Sequence, residues 1–215
     1  MNNVSFYIDE IDANRIRRAK ELSELKVRMT ETAYLSRYGV NSKATIVLSY
    51  AHWEGFYNEC INIYVNLLKG IDKKISDISW PMLVGILRPE LQRLRDRNHS
   101  PKAEYDFVNN LKNLIDENFD NFDSEVISSR SNLNYEKLRS NFDFLGFNVA
   151  PFNTLRLRID KELVGWRHGV AHGDDPDLSA VDIDNHIEFT QNMLLLLSDV
   201  FPLCQDSCRL PPVSG

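Results

Sequence analysis

The chain has 215 residues, 43 % of them hydrophobic and 26 % charged, which fits one sizeable domain with a full core and excludes a disordered segment. Its 25 Lys and Arg against 31 Asp and Glu leave a net charge of -6, so there is no general basic field for nucleic acid and any RNA contact must come from local arginines. No apolar run is long enough for a membrane span, and the opening MNNVSFYIDEID lacks a basic region followed by an apolar stretch; neither secretion nor membrane insertion is expected, and the cytoplasm is the expected location.

Glycine is scarce, at 9 residues, and the apolar residues recur at helical rather than alternating spacing, which predicts an all-α chain. The first helix is predicted over about 9–38, with Leu22, Leu25, Met29 and Ala33 on one stripe and Gly39 closing it. Asn41 or Ser42 can cap a second helix reaching about Gly70, whose apolar face carries Ile46, Tyr50, Tyr57, Ile61, Tyr64 and Leu68. One acid interrupts that face. Glu54 follows Tyr50 by four residues and precedes Tyr57 by three, so its carboxyl must find a partner, take a proton or reach solvent.

The region 72–152 reads as an elaborated insertion or connection within a single domain spanning 1–215. It holds a helix containing Pro81 and Pro89, a basic cluster at Arg88, Arg93, Arg95 and Arg97, helices over about 102–118 and 135–145, and a polar loop SSRSNLN at 128–134. The arginines suit either an RNA-facing patch or a solvated face with local acidic partners. After Pro151, Asn153 or Thr154 can cap a helix with Leu155, Ile159, Leu163, Trp166 and Val170 on its stripe, ending at Gly173. The short GDDPD link implies an antiparallel neighbour, for which Ser179 and Asp182 resemble a capping box and Ile183, Ile187, Leu194 and Phe201 form the buried stripe. Cys60, Cys204 and Cys208 are an odd set without CxxC spacing and are read as reduced thiols.

The segment Trp166-Arg167-His168-Gly169-Val170-Ala171-His172-Gly173 gathers an arginine and two of the chain's five histidines at a helix end. Arg167 and His172 are separated by about 140° around an ideal helix, so their convergence needs the arginine's length, a deviation near Gly169, an unwinding last turn or a second copy of the motif. Arg156 lies about three turns before Arg167 and, with Arg158, extends a positive line suited to RNA backbone. A histidine with an ordinary pKa near 6.5 can take a proton from a ribose 2′-hydroxyl, and a guanidinium can stabilise the crowded phosphate. That chemistry cleaves RNA without a metal or other cofactor. His168 and His172 are also spaced as a zinc pair, but no HExxH glutamate lies between them and a third ligand would have to be Asp174, Asp175 or something remote, so no metal is expected. His52 and His99 are read as surface residues.

Arg167-His168-Gly169-Val170-Ala171-His172 resembles the R-(polar)-x-x-x-H signature of HEPN domains, and the flanking Glu162–Trp166 and Ser49–Phe56 segments are similar to the MAE-like branch of HEPN nucleases. The resemblance covers roughly residues 30–70 and 150–205. It implies a HEPN-like helical bundle, a homodimer with facing motifs, and metal-independent endoribonuclease activity in toxin–antitoxin or antiviral systems, held in check by a cognate antitoxin or regulatory protein. It further implies that Arg167 and His172 are the catalytic pair, that His168 fills the supporting polar position, and that Glu54 orients Arg167 or a histidine. HEPN toxins silenced by nucleotide transfer carry a tyrosine two residues after the histidine; here that residue is Asp174, so that control is not expected. The alternative is a non-catalytic HEPN-like module that uses the same surface to bind a protein or nucleotide.

Overall fold

Aromatic and aliphatic residues at helical spacing give α2 (Val40–Gly70) a buried face along its whole length, against which the first and last long helices and the motif segment pack. A computed structural model describes residues 3–31, 39–70, 74–75, 82–120, 122, 124, 127–129, 132–174 and 183–203. The elements are α1 (Asn3–Glu31), α2, α3 (Leu83–Asp96), α4 (Pro101–Leu114), α5 (Tyr135–Leu145), a 3-10 stretch (Ala150–Leu155), α6 (Arg156–Arg158), a π-helical stretch (Ile159–Gly165), α7 (Trp166–His172) and α8 (Ile183–Leu203). Among the described residues there is no strand, only an isolated bridge between Lys74 and Asn118.

Long-range contacts fix the directions. Tyr7 meets Tyr64 at a ring separation of 6.3 Å and its hydroxyl donates to the Phe201 carbonyl at 3.4 Å, while Arg18 pairs with Glu59 and Lys26 with Glu188. Helix α1 therefore runs antiparallel to both α2 and α8. Arg158 lies over the Phe189 ring and Trp166 beside His186, so the segment 156–172 runs antiparallel to α8, as the short link predicts.

The core is aromatic. Trp53, Phe56 and Tyr57 are fully buried, and Phe142, Phe147, Phe152 and Phe201 meet one another and Tyr64 mostly edge to face. The polar tips inside this core find backbone partners: Trp53 Nε1 donates to the Leu133 carbonyl and Tyr57 OH to that of Ile127, with Asn141 Nδ2 donating to both Tyr57 OH and Ile127. Residues 127–129 and 132–133 are thus strapped across α2, and α5 shares its core. Helices α3 and α4 pair with each other at the edge.

Several expected boundaries move. Helix α1 begins at Asn3 rather than near Asp9, because Tyr7 and Ile11 are buried and draw the first turns into the bundle. The Lys43 N–H donates to the Gly39 carbonyl at 3.2 Å, so Gly39 opens α2 and the expected caps Asn41 and Ser42 lie inside it. Helix α4 is capped by Ser100 with Pro101 behind it, and ends at Leu114 instead of Asn118. Helix α5 has the expected bounds, opened by the Asn134 side chain and closed by Gly146 at φ 74°. Neither Asn153 nor Thr154 caps a helix; both lie in the 3-10 stretch, which runs into α6 without a side-chain cap. Ala33, Pro81, the Ser179–Asp182 box, Cys204 and Cys208 lie outside the described residues.

Candidate active site

The motif helix is positioned by its buried stripe. Ile159 and Leu163 are fully buried in the π-helical stretch, and Trp166 packs against His186 of α8 with ring centroids 5.5 Å apart. A π-helical stretch inserts extra backbone per turn and so resets which residues of the following helix face the core. Helix α7 itself is regular through Gly169, so no deviation intervenes between Arg167 and His172. It ends where the sequence reading placed the end: Gly173 adopts φ +80°, the Asp174 N–H donates to Gly169 O at 2.9 Å and the Gly173 N–H to Val170 O at 3.3 Å. This is a Schellman closure, which a left-handed glycine makes without side-chain strain.

Arg167 is half-buried and faces α2, its guanidinium carbon 4.6 Å from the centroid of the Tyr50 ring. The Tyr50 hydroxyl donates to Glu54 Oε1 at 2.9 Å and accepts from the Leu133 N–H at 2.9 Å, and Ser129 Oγ donates to the same Glu54 oxygen at 2.6 Å. Burial, with Glu54 adding to it, pushes the Tyr50 phenol above its ordinary value, so it stays a neutral donor. The odd acid of α2 is thereby explained: Glu54 anchors the tyrosine on which Arg167 rests. The sequence reading treated Tyr50 as core alone and missed this role, although its i, i+4 relation to Glu54 was in view.

His168 and His172 sit on exposed surface with ring centroids 4.3 Å apart at an interplanar angle of 51°. Neither ring has a hydrogen-bond or ion-pair partner among the described residues. Arg156 is also open, its side chain 61 % exposed, with a long 3.9 Å contact to Asp160 and the Tyr135 ring beneath it. Arg158 differs from Arg156. Its Nε and Nη2 donate to Glu162 Oε1 and Oε2, each at 2.8 Å, and its guanidinium carbon lies 3.9 Å from the Phe189 centroid.

One histidine departs from expectation and another carried none. His52 is not a surface residue: α1 covers it, its side chain is 13 % exposed, Arg18 Nη1 lies 3.4 Å from its Nδ1 and Glu21 3.7 Å from its Nε2. Burial and the adjoining Arg18 charge lower its pKa. Gly55 gives Arg18 its room, since a Cβ there would stand 2.8 Å from Nη2. His186, which the sequence reading passed over, is 2 % exposed with both ring nitrogens unpartnered, and burial lowers its pKa to about 4. Its place three residues after Ile183 on the buried stripe was the available signal.

In the basic cluster, Arg93 pairs with Glu90 and Arg97 with Asp106, so these two arginines have local acidic partners, while Arg95 is exposed. Cys60 is a free, buried thiol pushed above its ordinary pKa. No three His, Cys, Asp or Glu among the described residues are grouped to hold a metal ion, and no described helix is long and apolar enough to cross a membrane.

A family model described as RiboL-PSP-HEPN matches residues 13–201, spanning the middle region as well as both ends of the bundle. No curated protein and no solved structure matches the chain.

Proposed function

The chain belongs to the RiboL-PSP-HEPN family, and from that membership and the arrangement on α7 we propose that it is a metal-independent endoribonuclease. The observation that carries this reading is the division of labour on one short helix: Arg167 held against the Tyr50–Glu54 pair, and the His172 imidazole presented to solvent beside His168. An anchored guanidinium and an accessible imidazole are the two groups that the reaction requires.

In the proposed reaction, His172 accepts the proton of a ribose 2′-hydroxyl. The freed oxygen attacks the adjacent phosphorus, the bond to the 5′-oxygen breaks, and that oxygen leaves as a 5′-hydroxyl on taking a proton from water, to which the protonated His172 returns its own. A 2′,3′-cyclic phosphate remains on the other fragment. Arg167 binds the phosphate and stabilises the charge that builds on its non-bridging oxygens. His168 supports His172, and Glu54 positions Arg167 through Tyr50. Arg156 contributes an open cation to the RNA backbone; Arg158, engaged by Glu162, contributes chiefly to the fold of the motif segment.

Because α7 is regular, Arg167 and His172 project from different sides of it, and a homodimer in which the motifs face each other would join one chain's arginine to the other chain's histidine. The setting we propose is the cytoplasm, in a toxin–antitoxin or antiviral defence system with a cognate antitoxin or regulator. The test is a set of oligonucleotides differing at one sugar. Cleavage directly after a single ribonucleotide in an otherwise deoxy strand, with a cyclic phosphate end, is the expected result; cutting of the all-deoxy strand would refute an internal 2′-hydroxyl nucleophile.

A further inference from the structure

His168 and His172 lie four residues apart on α7, one turn of the helix, with ring centroids 4.3 Å apart. Both rings are exposed, and among the described residues neither donates or accepts a hydrogen bond. Two imidazoles one turn apart on a helix can direct two lone pairs at one cation. Such a site selects by softness: imidazole nitrogen suits Zn²⁺, Cu²⁺ and Ni²⁺, whereas Mg²⁺ and Ca²⁺ take oxygen ligands. The Gly173 closure holds the last turn of the helix in place, so both histidines project from an ordered helical turn. Asp174, exposed directly beyond it, adds negative charge nearby.

We propose that His168 and His172 form a two-imidazole chelate for a borderline divalent cation, Zn²⁺ above all, and that filling it switches off RNA cleavage. The switch rests on the ribonuclease reading; the chelate does not. A cation bound to the His172 nitrogen occupies the lone pair that must accept the 2′-hydroxyl proton, so metal binding and general-base action exclude each other. The bound cation completes its shell with water, and no bond of the RNA is made or broken through it. A free-metal inhibitory site of this kind also accords with an enzyme that needs no metal for chemistry.

The test is titration of the full chain with ZnCl₂, following the imidazole NMR signals of all five histidines, with MgCl₂ as the control cation. The signals of His168 and His172 are expected to shift or broaden together at stoichiometric Zn²⁺, with those of His52, His99 and His186 unmoved and Mg²⁺ without effect. His168→Asn, at an exposed position, is expected to keep the helical circular dichroism and to weaken Zn²⁺ binding at least tenfold. Unmoved His168 and His172 signals, or equal affinity in the folded variant, would overturn the chelate whether or not the chain cuts RNA. RNA cleavage by metal-depleted protein in chelator-free buffer is expected to fall at least tenfold at the Zn²⁺ level that saturates the two signals and to recover when EDTA is added; unchanged cleavage at that Zn²⁺ level overturns the switch. Zn²⁺ binding with no cleavage under any condition would leave the chelate standing and refute the ribonuclease reading instead.

Discussion

The guanidinium of Arg167 lies over the Tyr50 ring, and the Tyr50 hydroxyl is in turn tied to Glu54 and to the Leu133 backbone. The motif helix is thus registered to α2 through a tyrosine that is itself 2 % exposed. Ring and hydroxyl have separable duties. Tyr50→Phe keeps the stacking surface but leaves the buried Leu133 N–H unpaired, with an expected cost of about 1–3 kcal/mol in urea unfolding and a modest loss of cleavage. Tyr50→Leu removes both and is expected to lower RNA cleavage at least tenfold. A Tyr50→Leu protein that folds and cuts at the wild-type rate would show that the stacking contributes nothing to Arg167.

Arg156 and Arg158 are expected to part company under mutation, though both were read from sequence as RNA contacts. Arg156→Ala should weaken RNA binding and reduce the salt dependence of affinity by about one unit of slope, with stability unchanged. Arg158→Ala breaks the fork to Glu162 and the contact with Phe189, and should cost about 1 kcal/mol of stability with little change in that slope. RNA binding against ionic strength, alongside urea unfolding, checks both.

His186 links stability to pH. Burial holds its folded-state pKa at about 4, with Glu162 opposing and Arg158 reinforcing that shift, against about 6.5 in the unfolded chain. Between those values the unfolded state binds the extra proton, so stability rises with pH. The contribution is fully present above about pH 6.5 and is lost as pH falls towards 4, on the order of 3 kcal/mol in all. His186→Leu removes the titrating group and two unpartnered nitrogens, and should flatten the slope of unfolding free energy over that window. An unaltered slope would place the acid sensitivity elsewhere.

Mixing inactive chains tests whether the site is shared between two copies. If Arg167 of one chain works with His172 of another, equal amounts of Arg167→Ala and His172→Ala protein should regain about a quarter of wild-type activity, because half the dimers are mixed and each holds one intact site of two. Activity that stays at zero after subunit exchange would place both groups in one chain.

The sequence made the bundle legible because α2 and α8 are long and periodic, and burial of Ile46, Tyr57, Ile61, Leu68, Ile183, Ile187, Leu194 and Phe201 follows their spacing. The Gly173 terminus was legible for a local reason, a left-handed glycine at a helix end. Tertiary contacts decided the rest. Nothing local announces that α1 covers His52, or that Ser129 and Leu133, in a stretch read as a polar loop, reach Glu54 and Tyr50 across more than 70 residues of sequence. The π-helical stretch likewise has no simple signature in the 159–165 segment, although Ile159 and Leu163 are buried there as their spacing predicts. At the site, residue types and spacing pointed to Arg167, His168, His172 and Glu54, whereas the Tyr50 link between two of them required coordinates.

The most direct test of the account is the initial rate of RNA cleavage in EDTA by the wild-type chain and by His172→Ala, measured side by side on protein of matched helical content. The wild type is expected to cleave in chelator and the variant to lose at least a hundredfold, in the range expected for removing a general base. Equal rates for the two proteins would contradict the assignment of His172, and cleavage that disappears with chelator in the wild type would contradict the metal-independent mechanism itself.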